Sequence, residues 1–226
     1  MTGVSISKFY IIDLDRTLFD TVKNADFFAQ AVRQHSEETA DKLLKKVEAF
    51  ALLGESFGMR QFVVDALGEE KTAEIEKSYL QIASHEDLFN PGAEKFLKVL
   101  LSKPGINFGI LTYGSTPGQS LKLKAGKLAE VPHIITLEKF KGEYISSWRQ
   151  PDGTFLLPEA FRTRGDVTER LVLIDDKALS FEFLPKDVQG YWYRPAGSLY
   201  DGGEVTENVK AVESFDDIIA SEHLVA

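Results

Sequence analysis

Two rhythms of apolar and polar positions run through this chain. Short, nearly continuous apolar runs at residues 9–14, 107–112, 133–136, 171–174 and 190–193 read as buried strands. Between the first and second runs, from residue 21 to about residue 87, the period changes. Phe27, Phe28, Ala31 and Val32, then Leu43, Leu44, Val47, Phe50 and Ala51, recur at helical spacing with charges between them. Gly58 and Gly68 punctuate the stretch. Residues 69–83 form a further amphipathic helix through Ile75, Tyr79, Leu80 and Ile82. No strand pattern interrupts this region, so residues 21–88 are expected to be a compact helical insertion.

Beyond it, Asn90-Pro91-Gly92 is a turn that opens a helix over 93–101, and Lys103-Pro104-Gly105 closes that helix. A helix through residue 127 follows the loop 113–118. A short helix over 143–148 is broken by Gln150-Pro151-Asp152-Gly153. The tail from residue 196 is rich in Gly and acids and turns helical near 214–220. Strands alternating with helices imply a parallel sheet with helices on both faces. The expected fold is therefore α/β, with a three-layer α/β/α, Rossmann-like core and a parallel five-stranded sheet. Residues 1–20 and 89–226 supply the core, and residues 21–88 are inserted in it.

Composition narrows the function. At 226 residues the chain suits one domain of good size, or a core with a small insertion. A net charge of −9 and a pI near 5.0 argue against a nucleic-acid or anionic-membrane binder, while leaving room for a local basic pocket. The absence of Cys excludes disulfides, thiolate metal sites and Cys nucleophiles. Residues 1–8 hold no apolar signal core, and no run is long enough to span a bilayer. The expectation is a cytoplasmic protein with neither nucleic acid nor membrane as partner.

Candidate chemistry gathers at the carboxyl ends of the strands, where open α/β sheets bind ligands. The first run ends in Asp13-Leu14-Asp15-Arg16-Thr17. In an extended segment residues i and i+2 point the same way, so Asp13 and Asp15 are candidates to face one pocket. The second run ends in Thr112, followed by Tyr113-Gly114-Ser115; Thr112 reads as a phosphate ligand or as the cap of the next helix. The fourth run ends in Asp175-Asp176. Four carboxylates along one edge call for a hard cation with oxygen ligands, and Mg²⁺ beside a substrate phosphate is the usual occupant.

In these motifs the chain resembles the haloacid dehalogenase-like (HAD) hydrolases, over about residues 8–20 and 90–195. Asp13-Leu14-Asp15-Arg16-Thr17 matches that family's first motif, Thr112 its second, and residues 171–176 its fourth. Lys141, before Gly142 and a short helix, is the lead for the third-motif lysine; Lys124 is the main rival, and Lys139 and Lys127 are weaker ones. The helical insertion falls where the family places a cap. The resemblance implies a Mg²⁺-dependent phosphatase acting on a small phosphorylated metabolite. Asp13 would be the nucleophile and Asp15 the general acid and base. Asp13, Asp15 through its backbone carbonyl, Asp175 and Asp176 would hold Mg²⁺, with Asp176 the more direct of the pair. Thr112, Tyr113, Gly114 and Lys141 would bind the phosphoryl group. Many relatives carry Gly where this chain has Arg16, which is placed either to touch substrate or to cover the loop.

An acid at Asp15 is expected of phosphatases and phosphomutases and argues against dehalogenase chemistry. A phosphomutase using the same residues is the nearest rival. A non-catalytic phosphate- or protein-binding module on the same fold is a rival of another class. Phe27, Phe57, Met59 and Arg60 are candidates for a substrate-facing side of the insertion.

Overall fold

A computed structural model of the chain describes residues 5–53, 55–163, 165–198 and 203–224. In chain order they form β1 (Ser5–Ile6), β2 (Lys8–Ile12), α1 (Thr21–Arg33), α2 (Glu37–Leu52), α3 (Met59–Leu67), α4 (Glu69–Ala83) and α5 (Ala93–Ser102). Then come β3 (Ile106–Tyr113), α6 (Thr116–Ala125), β4 (His133–Thr136), α7 (Lys141–Ser146), β5 (Phe155–Leu156), β6 (Val167–Thr168), β7 (Leu171–Asp175), β8 (Gln189–Tyr193), β9 (Val209–Val212) and α8 (Phe215–Ser221). They fall into two compact units. The first comprises Met1–Leu18, Asn90–Tyr113 and Val131–Ala226, and the second Phe19–Phe89 and Gly114–Glu130.

The first unit is built on a parallel sheet ordered β4-β3-β2-β7-β8-β9. It has six strands, not the expected five. The sixth, β9, lies at the edge, and only its two terminal valines are buried, so its apolar signal is too short to read. A small sheet, β1-β6-β5, stands beside it.

Strand β2 is central, paired with β3 on one side and β7 on the other. Phe9, Tyr10, Ile11 and Ile12 are all fully buried, which explains the unbroken apolar run. Neighbours along the strand serve opposite faces. Phe9 packs on Phe161 with ring centroids 5.2 Å apart, in a cluster with Ile11, Leu111, Leu171, Leu173 and Ile145. Tyr10 instead meets Phe96 of α5 edge-on at 6.0 Å, and Phe96 stacks on Phe215 of α8. Gly109 permits the first contact: a Cβ there would lie 2.5 Å from the Phe161 ring.

On the α8 side, Glu222 accepts hydrogen bonds from Tyr10 (2.9 Å), from Tyr191 (2.7 Å) and from Lys8.

The second unit is helical. Asp20 caps α1 by accepting from Val22 and Lys23 N–H, and Ser36 caps α2 through Thr39 N–H. Phe28 of α1 meets Tyr79 of α4 edge-on at 5.3 Å, and the Tyr79 hydroxyl donates to Asn24 at 2.5 Å. The two segments bounding α1–α4 pair with each other, with Asp20 N–H donating to Leu88 O at 3.0 Å. Residues 114–130, which the sequence reading assigns to the core, group here. Phe19 fills the space beside Gly126, where a Cβ would stand 1.9 Å from its ring. Arg60 is engaged by Glu76 at 2.6 Å and also by Glu69, and Phe57 packs between Phe50 and Phe62. Among the described residues no helix is long and apolar enough to cross a membrane.

Candidate active site

The carboxylates at the strand ends are brought together by strand register. Ile11 pairs with Leu173 and Ile12 with Ile174, and the backbone N–H of Asp13 continues the ladder to Ile174 O at 2.9 Å. Asp13 and Asp175 therefore stand level on adjacent strands. By the pleat, both project to the face already occupied by Ile11 and Leu173. The chain of β2 stops at Ile12 and turns at Leu14, so Asp15 owes its place to the loop and not to strand alternation.

Helix α7 delivers a cation to this pair. It begins at Lys141, two residues before the expected start, and its Ile145 belongs to the same apolar cluster as Ile11 and Leu173. Gly142 lets it approach closely, since a Cβ there would lie 2.3 Å from Glu182 O. Lys141 Nζ donates to Asp13 Oδ1 at 2.5 Å and to Asp175 Oδ2 at 2.6 Å, and its side chain is 3 % exposed. Of the lysines weighed from sequence, this one reaches the carboxylates. Lys124 is exposed on α6 in the second unit, Lys127 reaches Ser84 O at 3.3 Å in that unit, and Lys139 lies over the Tyr113 ring.

Charge in the cluster is unbalanced. One oxygen from each of Asp13, Asp175 and Asp176 lies within 4.8 Å of the other two, and all three residues are buried. Burial pushes the Asp13 carboxyl up to about 6; Lys141 pulls it back, and the charges of Asp175 and Asp15 add to the rise. Burial likewise raises Asp176 well above the carboxylate range, reinforced by repulsion from Asp175 and Asp13. Burial alone would lower the Lys141 ammonium, but Asp13 and Asp175 outweigh it and hold the lysine charged.

The two acids ending β7 differ in what holds them. Asp175 has a donor on each oxygen, with Oδ2 on Lys141 and Oδ1 on the Lys177 backbone N–H at 2.9 Å. Asp176 is anchored through its main chain, where Trp192 Nε1 donates to its carbonyl at 2.8 Å. Its Oδ2 has no hydrogen-bond partner, and the guanidinium of Arg16 stands 4.0 Å away. Thr112, at the end of β3, is fully buried with no partner for Oγ1. Tyr113 closes β3 in the first unit, while Gly114 opens the segment grouped with the second.

A divalent cation fits this donor set. Three buried carboxylates face one buried lysine, and an orphaned oxygen on Asp176 and the raised carboxyls both report missing positive charge.

Sequence reasoning missed two supports. Trp192, read there as core, also donates to Asp176. Asn90, read as a turn residue, donates from Nδ2 to both Arg16 O and Thr17 O at 2.8 Å and so fixes the loop carrying Asp15. The only signal for Asn90 was its place before Pro91-Gly92.

No protein-family model matches the sequence, and no curated protein matches it. Solved structures do. A haloacid dehalogenase-like protein from Burkholderia xenovorans LB400 is 18% identical, with 97% of this chain and 99% of that chain covered and a TM-score of 0.59. The HAD-hydrolase YfnB from Bacillus subtilis, bound to magnesium, is 12% identical over 95% of this chain and 98% of its own, with a TM-score of 0.56. The L-2-haloacid dehalogenase from Xanthobacter autotrophicus is 13% identical over 97% and 100%, with a TM-score of 0.53. The chain thus has the parallel α/β fold of the haloacid dehalogenase-like hydrolases.

Proposed function

We propose that this protein is a Mg²⁺-dependent phosphomonoester hydrolase acting on a small phosphorylated metabolite. The observation that carries the reading is the buried triad Asp13, Asp175 and Asp176, bridged by Lys141 on one side and left with an unpartnered oxygen on the other. Asp13, Asp175 and Asp176 would hold the metal. When bound, Mg²⁺ supplies positive charge that neutralises the phosphate against the carboxylates.

The chain's own groups account for the transfer. An Asp13 carboxylate oxygen attacks phosphorus, and the bond from phosphorus to the leaving oxygen breaks. Asp15, protonated, gives its proton to that oxygen. Water then attacks the phosphorus of the aspartyl-phosphate, and Asp15 takes its proton. The bond to Asp13 breaks, releasing inorganic phosphate and restoring the enzyme. Lys141 keeps Asp13 ionised and aimed, and the Thr112 hydroxyl is a free donor for a phosphoryl oxygen. The small-substrate part of the proposal rests on the place of the helical insertion in the sequence, where the resembling family carries a cap.

Dehalogenases among the fold neighbours make displacement of halide the second reading. Asp13 and Lys141 would serve either reaction. A departing halide, however, needs no proton and no metal, so that chemistry leaves Asp15 and the open oxygen of Asp176 without employment. The test is release of phosphate from a panel of phosphorylated metabolites and an aryl phosphate, beside release of halide from 2-haloacids. Each is run with Mg²⁺ and with chelator, on the wild type and Asp13→Asn. Metal-dependent phosphate release that vanishes in the variant supports the proposal. Halide release indifferent to chelator would replace it.

A further inference from the structure

Arg16 lies three residues beyond Asp13, and its backbone takes a conformation that L side chains avoid, with φ at 65°. For a residue with a Cβ this conformation is strained. The surroundings enforce it, since Asn90 Nδ2 grips the carbonyls of Arg16 and Thr17 together. A strained residue so tightly held beside reactive carboxylates points to a role for its side chain.

That side chain faces Asp176. The gap of 4.0 Å is an ion pair and too long for a hydrogen bond. Asp175 has donors on both oxygens, whereas Asp176 Oδ2 has none. The guanidinium is 24% exposed and the carboxylate 5%, so the cation sits at the solvent side of a buried acid. It offsets part of the Asp176 charge without closing on it.

We infer that Arg16 is a displaceable counter-ion of Asp176: a divalent cation competes with it for Oδ2, and the released guanidinium then binds the anionic oxygens of the substrate. The inference rests on the phosphatase reading above. Like charges repel, so a metal held by Asp176 drives the guanidinium away. The backbone is fixed but the stem is long, and a phosphate at Asp13 offers paired anionic oxygens that the planar, two-pronged guanidinium matches.

Calorimetric titration with Mg²⁺ alone, then of the Mg²⁺-loaded protein with inorganic phosphate, tests both halves. Arg16→Gly relieves the backbone, and Arg16→Gln keeps the stem but removes the charge. Both variants should bind Mg²⁺ about two- to fivefold more tightly, the range of a part-exposed ion pair. Both should bind phosphate more weakly, and Arg16→Lys should stay near the wild type in Mg²⁺ affinity. Unchanged or weaker Mg²⁺ binding in both neutral variants overturns the competition, and unchanged phosphate binding overturns the hand-over. If the wild type binds Mg²⁺ and releases phosphate while the variants match it, only this inference falls. If the wild type takes up no Mg²⁺, the phosphatase reading falls with it.

Discussion

Lys141 Nζ stands 2.6 Å from Oδ2 of Asp175 and simultaneously 2.5 Å from Oδ1 of Asp13, so one ammonium ties the ends of two adjacent strands. Removing one partner from a buried ionic cluster leaves uncompensated charge and costs about 3–5 kcal/mol. Lys141→Met should lower metal-free stability at neutral pH by that order and abolish phosphate release. Added Mg²⁺ should restore part of the stability but none of the activity. Urea unfolding with and without Mg²⁺ checks it; a variant as stable as the wild type in chelator would contradict the charge argument.

Gly142 is the reason that α7 can deliver this lysine. A methyl there meets the main-chain oxygen of Glu182, which has no rotamer by which to escape. Gly142→Ala should cost about 1–3 kcal/mol through overpacking. Because the strain is relieved by moving α7, activity should fall further than stability explains. Comparing turnover with the folded fraction at one temperature separates the effects. Activity that simply tracks the folded fraction would show that Lys141 keeps its place.

Much of this arrangement was legible from sequence because the carboxylates follow apolar runs that can only be buried strands. A parallel sheet puts Asp13 and Asp175 along one edge, but that β2 and β7 are neighbours is set by the strand order, which the sequence does not state. Lys141 was harder: nothing in residues 139–143 states that a helix starts there, and its identification required the family resemblance. The contacts of Asn90 and Trp192 were not legible at all, since a hydrogen bond across 74 or 16 residues leaves no local pattern. The sixth strand escaped because an edge strand of four residues needs only two apolar positions. The grouping of residues 114–130 with the helical unit follows contacts of α6 with α3 and α4, which periodicity does not encode.

Trp192 places Asp176 through the carbonyl that its indole N–H holds. Trp192→Phe keeps most of the ring and removes that donor. Stability should fall by about 1 kcal/mol. Mg²⁺ affinity should fall by about tenfold or more, as when an outer support of a metal ligand is lost. Calorimetry gives the affinity and urea unfolding the stability. Wild-type affinity in a destabilised variant would mean that Trp192 is packing alone.

Glu222 offers a pH signature remote from the carboxylate cluster. Its side chain is 7% exposed. Burial opposes its ionisation, but the donors Lys8, Tyr191 and Tyr10 outweigh burial and hold the carboxyl below its ordinary 4.5. Between that lowered value and 4.5 the unfolded chain binds the extra proton. The stabilisation is therefore complete above about pH 4.5 and is lost as pH falls through the folded value. Burial and the Glu222 charge push the Tyr10 and Tyr191 hydroxyls above their ordinary 10, so their contribution holds below pH 10 and is lost on the alkaline side. Glu222→Gln should cost about 1.5–3 kcal/mol at pH 7, the worth of hydrogen bonds to a charged group. The gap between variant and wild type should narrow as pH drops below 4.5. Urea unfolding from pH 3 to 9 measures it, and a gap that stays constant down to pH 3 would mean that the cluster is held by packing rather than by the carboxylate charge.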